Sequence, residues 1–575
     1  MRPLFALLCL LACAACNPTT TPREEPPATA DARPNFIVIQ MDDLGWDDLA
    51  THGNPYVATP HIDRLAAESV RFEHFYVNAV CAPSRASLLT GRHFLKTGVS
   101  HVHGGKDFLN LEERTVADLL RDGGYATGMW GKWHSGHTAG YFPWERGFQE
   151  AYMARLYRHR DPFGKLNGAP VAFPGRWSSE VIVDYANDFI ERHRDTTFFA
   201  YLSFLTCHSP LDAPDGLVAK YEAKGLSRNL ATIYGMIELA DAQIGRLLDA
   251  LDEAGLAENT VVMFMSDNGP AIENGKLTDA DRALRYVNNY KGHKGNLWEN
   301  GVKSAFFVRR PGTWAPADVA TLADITDVTP TLLDLAGVSG TPSPLDGTSL
   351  RDVLGGAGGR DKLTYDWASP GWPPSDQPWT PQGVKDEYRP VGKDTLDYRE
   401  QILSVRDDSL KLMLNVAQYP NTPPAVRARV LVDTRRDPKE ARNVLADYPE
   451  RAAALEARLG DWFDGVKAAE HAFGAPVVRV EGDTVAILAK TAAALGGELM
   501  KTFDWVEGFA GGATYLSFTV NVAEAGTYEI FYRQGDERHP LGEQTLARGR
   551  QTLRVEGFGS LGKGDQLNQI LLVRH

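Results

Sequence analysis

Three short apolar runs, each ending on polar residues able to do chemistry, constrain this chain more than any other feature. "NFIVIQMDDLGWDD" begins at Asn35, "TFFAYLSFLTCHSP" spans 197–210 and "TVVMFMSDNGP" spans 260–270. Such a run suits a buried strand that delivers charge at its carboxyl end. Helical patterns lie between them. "TVADLLRDGGY" closes on glycines, and residues 231–256 repeat Ile233, Met236, Ile237, Ala240, Ile244, Leu247, Leu248 and Leu251 at helical spacing. Strands alternating with helices specify an α/β layer fold, a central sheet flanked by helices with ligands beyond the strand ends.

The texture changes after about residue 350. A Pro/Trp-rich stretch, "DWASPGWPPSDQPWTPQG", precedes strand-like "QILSVRDDSLKLMLNV" and "RVLVDTRRDP", and "YPERAAALEARLGDWFDGV" supplies a closing helix. Residues 351–470 are therefore expected to form a smaller α+β subdomain behind a catalytic domain at 35–350. From 471 to 575 the pattern alternates again: Leu516, Phe518, Val520 and Val522 face one way in "YLSFTVNV", and "TYEIFYR" follows Gly526. This predicts an accessory β-sandwich, either carbohydrate-binding or structural.

The start, "MRPLFALLCLLACAACNPTT", carries Arg2 and an apolar run from Leu4 to Ala12, too short to span a bilayer. It is expected to be a lipoprotein signal over residues 1–16, with Cys16 preferred over Cys13 for lipidation and plain cleavage as the alternative. Residues 17–34 would be a disordered Pro/Thr/Ala-rich tether. The mature chain would then be exported and lipid-anchored, in the periplasm or at the outer membrane or cell surface; the alternative is a soluble periplasmic or secreted form. A net charge of −14 without a dense Lys/Arg run argues against nucleic acid as a partner. Beyond the leader only Cys81 and Cys207 remain, so no disulfide scaffold exists.

Asp42, Asp43, Asp267 and Asn268 stand at strand ends, and oxygen-only ligands of this kind suit Ca²⁺ or Mg²⁺. Asp and Asn also start ordinary turns, which is the other reading of each pair alone. Lys132, His134, His208 and Lys294 together would surround an anion beside such a metal. Cys81 fits this setting poorly as a thiolate, because acidic neighbours raise a thiol's pKa and a hard cation gains little from sulfur.

"CAPSRASLLTGR", residues 81–92, resembles the signature of the type I sulfatases, whose cysteine is oxidised after synthesis to Cα-formylglycine. "GYATGMWGKWHSG" resembles the family's second motif, with Trp130 where a small residue is more usual. The resemblance continues through "DDLGWDD", "SDNG", "KGHKGNLWENGVKSAFFVRRPG" and "LVDTRRDPKEARNV", in family order over about residues 34–465. It implies an alkaline-phosphatase-like core and a sulfuric ester hydrolase matured by a formylglycine-generating enzyme. It further implies one Ca²⁺ on Asp42, Asp43, Asp267, Asn268 and the modified Cys81. Arg85 would hold the formylglycine oxygen, Lys132, His134, His208 and Lys294 would contact the sulfate, and His134 would act as base. A phosphonate monoester or phosphodiester hydrolase and an inactive lipid-anchored glycan binder are the alternatives. Asn268 favours the sulfatase over the former, and an intact residue set argues against the latter.

Cys207 is expected to be a buried small hydrophobe, and Asn300 to adopt a left-handed backbone. His101 and His103 are expected on a loop that can face substrate. Trp367, Trp372 and Trp379 would either wall a sugar site or pack. Tether, hydrolase and accessory sandwich together favour a sulfated glycan or oligosaccharide as substrate.

Overall fold

The computed structural model describes residues 33–271, 277–368, 393–416, 428–497, 499–502, 504–509 and 514–575. The expected leader and most of the tether lie outside them, as do Trp372 and Trp379. Among the described residues no helix is long and apolar enough to cross a membrane.

A ten-stranded sheet forms the centre. Its order is Ala317–Val319, Val70–Phe72, Phe306–Arg309, Thr260–Ser266, Asn35–Met41, Phe198–Ser203, Ala126–Gly131, Glu150–Ala154, Phe163–Leu166, Ala169–Ala172. The five strands from Thr260–Ser266 to Glu150–Ala154 are parallel neighbours, bordered by antiparallel Phe306–Arg309 and by an antiparallel hairpin. The apolar runs need no alternation because both faces are covered. Ile37 and Ile39 enter one core with the helices Pro60–Ala67, Ser178–Arg192 and Arg228–Glu253. Phe36 and Val38 enter the other with Cys81–Thr90, Val116–Asp122 and Val328–Ala336.

The long helix starts three residues before its periodic stretch, because the Ser227 hydroxyl accepts from Leu230 N and supplies the N-cap. All eight of its expected apolar positions are buried. Trp130 is fully buried against Phe189. Glycine at 128 makes room for it, since a Cβ there would lie 2.3 Å from the Trp130 ring.

Behind this core, Thr364–Ala368, Ile402–Arg406, Leu410–Leu414 and Arg429–Asp433 form an antiparallel sheet packed against the helix Pro449–Ala468. A buried charge cluster joins it to the central layer. Arg406 donates to Glu299 at 2.5 Å, Tyr76 Oη donates to the same carboxylate at 2.8 Å, and Lys411 pairs with Glu440 at 2.8 Å.

The C-terminal strands form two four-stranded sheets around one core that contains Leu516, Phe518, Val520 and Val522. This sandwich rests on the catalytic layer. Tyr141 Oη donates to Val477 O at 2.9 Å and accepts from Val477 N at 3.0 Å, and Thr138 donates to Ala486 O at 3.3 Å. Just before it, His471 bridges Glu112 at 2.8 Å and Glu113 at 2.9 Å.

Hydrogen bonds that His471 donates to Glu113 and to Glu112 outweigh burial and raise its pKa. Its stabilisation is therefore complete below the ordinary histidine range and lost as pH rises through the raised value. His471→Gln is expected to cost about 1 kcal/mol at pH 5.5 and nearly nothing at pH 9, with Glu112 half in solvent. Paired thermal melts at the two pH values check this.

Candidate active site

Cys81 opens a helix whose residues, Cys81–Thr90, are all buried. Asn78 fixes the entry to that helix: its N–H donates to Ser84 Oγ at 2.9 Å and its Nδ2 to Ser87 Oγ at 3.1 Å. Arg85 lies one turn on, so it shares the Cys81 face. Register completes the site. Gln40 pairs with Ser203 and Met41 with Ser266, so Asp42–Asp43, residues 204–208 and Asp267–Asn268 emerge side by side.

Each carboxylate meets a buried cation. Lys132 Nζ donates to both Asp42 oxygens at 2.8 Å, and Lys294 Nζ to Asp43 Oδ1 at 2.6 Å. Arg85 donates through Nε at 2.9 Å and Nη2 at 2.6 Å to Asp267 Oδ2, while its Nη1 reaches Lys132 O at 3.3 Å and Ser203 Oγ. The guanidinium therefore spends its donors on Asp267 and the neighbouring chain ends, which makes it the anchor of that carboxylate. Ligand atoms of Asp42, Cys81 and Asp267 lie within 4.8 Å of one another, as do those of Asp42, Asp43 and His208.

Burial, reinforced by Asp267 and Asp43, pushes Asp42 up to about 7 against the pull of Lys132. Burial would raise Asp43 too, but Lys294 and His208 hold it well below the usual carboxylate range. Asn268 donates through Nδ2 to Asp43 Oδ1 and to Gly269 O, both at 2.8 Å, whereas its Oδ1 is buried without a hydrogen-bond partner among the described residues. A buried, unsatisfied carboxamide oxygen among three carboxylates is a donor set that suits a hard divalent cation. Gly269 is required by close approach, because a Cβ would lie 1.8 Å from Asn300 O. Asn300 corrects the expected left-handed conformation: it sits in the helical turn Glu299–Val302 and donates to Gly292 O at 3.2 Å.

His134 approaches Cys81 Sγ through Nδ1 at 3.4 Å, and its Nε2 lies 2.8 Å from Val102 O. A carbonyl only accepts, so the proton sits on Nε2 and Nδ1 presents a lone pair to residue 81. Burial and Lys132 keep the imidazole neutral. Burial also raises the Cys81 thiol, so no thiolate is favoured. His208 Nδ1 donates to Ser209 O at 2.6 Å, leaving Nε2 3.8 Å from Asp43 Oδ2, with the Tyr157 ring tilted against it at 4.6 Å. Burial, then Lys294, holds it below the ordinary histidine range.

The two loop histidines part company. His103 lines a cleft of about 440 Å³ with His134, whereas His101 faces a small space beside Trp367. Trp367 packs near Phe94 and Phe473 and donates to Gln401. Cys207 is buried in the core with its thiol donating to Asp43 O at 3.4 Å, and neither it nor Cys81 is joined in a disulfide. Sequence reading did not reach Tyr157, the rest of the cleft wall, or Lys490 and Asp504, which the sandwich contributes to the cleft as a 2.7 Å ion pair. Tyr157 had no flanking motif, and nothing local marks a residue that reaches across domains.

Lys132→Ala removes a fixed cation and leaves Asp42 buried and unpaired. We expect kcat to fall about 100- to 1000-fold with a smaller change in KM. A loss confined to KM would mean that Lys132 only holds bound substrate; initial-rate kinetics on an aryl sulfate decide.

An alkaline-phosphatase-like layer fold with buried carboxylates, lysines and histidines at its strand ends defines a hydrolase of oxyanion esters. The Sulfatase family profile matches residues 34–338, more than half of the chain. Arylsulfatase A of Homo sapiens is 32% identical over 360 residues, covering 56% of this chain and 68% of its own. The ulvan-active sulfatase of Formosa agariphila is 30% identical over 388 residues, covering 62% and 71%. Among solved structures, Ps i-CgsB in complex with k-i-k-neocarrahexaose superposes with a TM-score of 0.63 at 22% identity, covering 76% of this chain and 94% of that one. The phosphonate monoester hydrolase of Agrobacterium radiobacter shares the fold at a TM-score of 0.54 and 19% identity, covering 76% and 96%. The chain belongs to the sulfatase family, and its activity is that of a sulfuric ester hydrolase.

Proposed function

We propose that the chain releases inorganic sulfate from a sulfated glycan or oligosaccharide, using formylglycine made from Cys81 and one calcium ion. The observation that carries this reading is the buried Asn268 Oδ1, without a hydrogen-bond partner among the described residues, set among Asp42, Asp43 and Asp267 beside Cys81. Those four side chains, with residue 81, would hold the calcium, whose charge lowers the cost of ionising a hydroxyl. Formylglycine, as its hydrate, would supply two hydroxyls, one as nucleophile towards sulfur and one whose ionisation would release the sulfate.

The chain's own groups do the rest. Lys132 and Lys294 are buried ammonium groups, held by Asp42 and Asp43, that would meet the ester's oxyanions. His134 Nδ1 accepts a proton from residue 81 while Val102 O keeps the ring in register. His208 Nε2 is positioned for the leaving oxygen, where the negative charge of a bound ester counters the burial that keeps it neutral. Arg85 fixes Asp267.

A glycan substrate is supported by the ulvan-active relative and by the fold neighbour solved with an oligosaccharide. A formylglycine-generating enzyme would mature the chain, and export with a lipid on Cys16 would tether it; loss of membrane retention in Cys16→Ala tests that anchor. The deciding experiment is a mass spectrum of the tryptic peptide 72–85, "FEHFYVNAVCAPSR", from protein made in its own host. An aldehyde or its hydrate in place of the Cys81 thiol, together with sulfate released from sulfated saccharides, is the expected result. An intact thiol in active protein would overturn the reading.

A further inference from the structure

The 440 Å³ cleft begins at His134 and Tyr157, beside the reacting group, and opens along the edge hairpin of the central sheet. Met153 pairs with Lys165, Ala154 with Gly164, and Arg155 N donates to Phe163 O at 2.8 Å. Directly opposed residues share a face. Tyr152, Ala154 and Leu166 thus turn into the core, while Arg155, Phe163 and Lys165 line the cleft.

Phe163 is 42% exposed, the only large hydrophobic side chain so exposed among the described residues. Three cations surround it. Arg155 is its cross-strand neighbour, Arg158 stands 5.7 Å from its ring centroid, and Lys165 follows two residues on, 5.0 Å from the Phe142 ring. None of the three has a carboxylate within 4.0 Å among the described residues. Nearby arginines are matched: Arg160 with Asp212, Arg176 with Asp184, Arg192 with Glu150. On a chain of net charge −14 an unmatched trio around a solvent-facing ring is a local surplus of positive charge. Burial and then Lys490 push His137 down to about 3 against the pull of Asp504, and Arg155 and Lys165 add smaller pushes in the same direction.

We propose that Arg155, Arg158 and Lys165 around Phe163 form a second anion subsite, so that the preferred sulfate ester is a saccharide whose leaving portion carries a further carboxylate or sulfate. The aromatic ring meets the apolar face of the sugar, and the cations meet its second charge. On the opposite side the sandwich's Lys490–Asp504 pair is internally neutral, so it bounds the cleft without cancelling that charge. This rests on the sulfatase reading and adds a constraint on substrate that the catalytic residues do not impose.

The test uses formylglycine-verified full-length protein hydrolysing 4-nitrophenyl sulfate. Two inhibitors are compared: a monosulfated disaccharide bearing one uronic acid, and the same disaccharide after carboxyl reduction. Wild-type protein should bind the uronate form at least about tenfold more tightly, a difference of about 1.4 kcal/mol, and raising salt from 50 to 300 mM should shrink that ratio. The combined variant R155A/R158A/K165A should bring the ratio to within about twofold, and R155K/R158K/K165R should restore it. Reading the ratio within each variant cancels any change in basal turnover. Equal inhibition in wild type, or a ratio that survives the alanine variant, overturns the subsite. Absence of 4-nitrophenyl sulfate turnover by verified wild type overturns the sulfatase reading instead.

Discussion

Cys81→Ala is expected to abolish sulfate release, by at least about a thousandfold, in a protein that still folds. The fold survives because Cys81 contributes little packing. It is 2% exposed in an apolar cluster that includes Ala82, Ala86, Phe94 and Leu95, and removing its one small sulfur atom costs about 1 kcal/mol. The carboxylates, Asn268, Lys132 and Lys294 remain in place, so substrate and calcium would still bind while the group that attacks sulfur is gone. Cys81→Ser sharpens the test. Its hydroxyl can form one bond to sulfur as the ester oxygen leaves with a proton, but it has no second hydroxyl whose ionisation could break that bond. One equivalent of alcohol per chain, then silence, is the expected trace in a burst assay. Steady turnover by either variant would sink the mechanism, and a melting temperature many degrees below wild type would show that residue 81 supports the helix instead.

The legible parts of this chain were those whose physics is local. Residues 35–41, 198–203 and 260–266 read as buried strands because two covered faces leave no reason for a polar residue until the strand ends. The polar residues that then appear are the site. The helix around Ile233–Leu251 and the sandwich strand around Leu516–Val522 were equally plain, each showing one buried face at its own period. The edge hairpin Phe163–Leu166 and Ala169–Ala172 was not, since short strands half in water carry little periodic signal. Asn300 was misread because its setting comes from Gly269 and Gly292, not from its chain neighbours. Gly105 makes the same point for the sandwich. A Cβ there would lie 2.3 Å from Lys490 O, so the loop carrying His101 and His103 depends on the 3-10 turn Ala489–Thr491, nearly four hundred residues away. Distances of that kind are written in tertiary contact, not in spacing.

Asp267→Ala should remove calcium and activity together, and it should also weaken the fold. Asp267 and Arg85 are both 0% exposed and joined at 2.6 Å, so deleting the carboxylate strands a guanidinium in the core. Burial of an uncompensated charge of this kind costs about 3–5 kcal/mol. The loss of metal has a separate cause: one of three buried carboxylates in the oxygen set is gone, and Asn268 Oδ1 with Asp42 and Asp43 makes a weaker site for a doubly charged ion. Asp267→Asn separates the two effects. It keeps the shape and an acceptor for Arg85, so it should recover part of the stability, yet it lacks the charge and should still bind calcium poorly. Metal content by elemental analysis, with melts in calcium and in chelator, resolves them. Wild type should melt lower in chelator, whereas both variants should melt at nearly the same temperature in either buffer. Calcium content that stays at one per chain in Asp267→Ala would refute Asp267 as a ligand and leave it a structural partner of Arg85 and the Asp43 N–H.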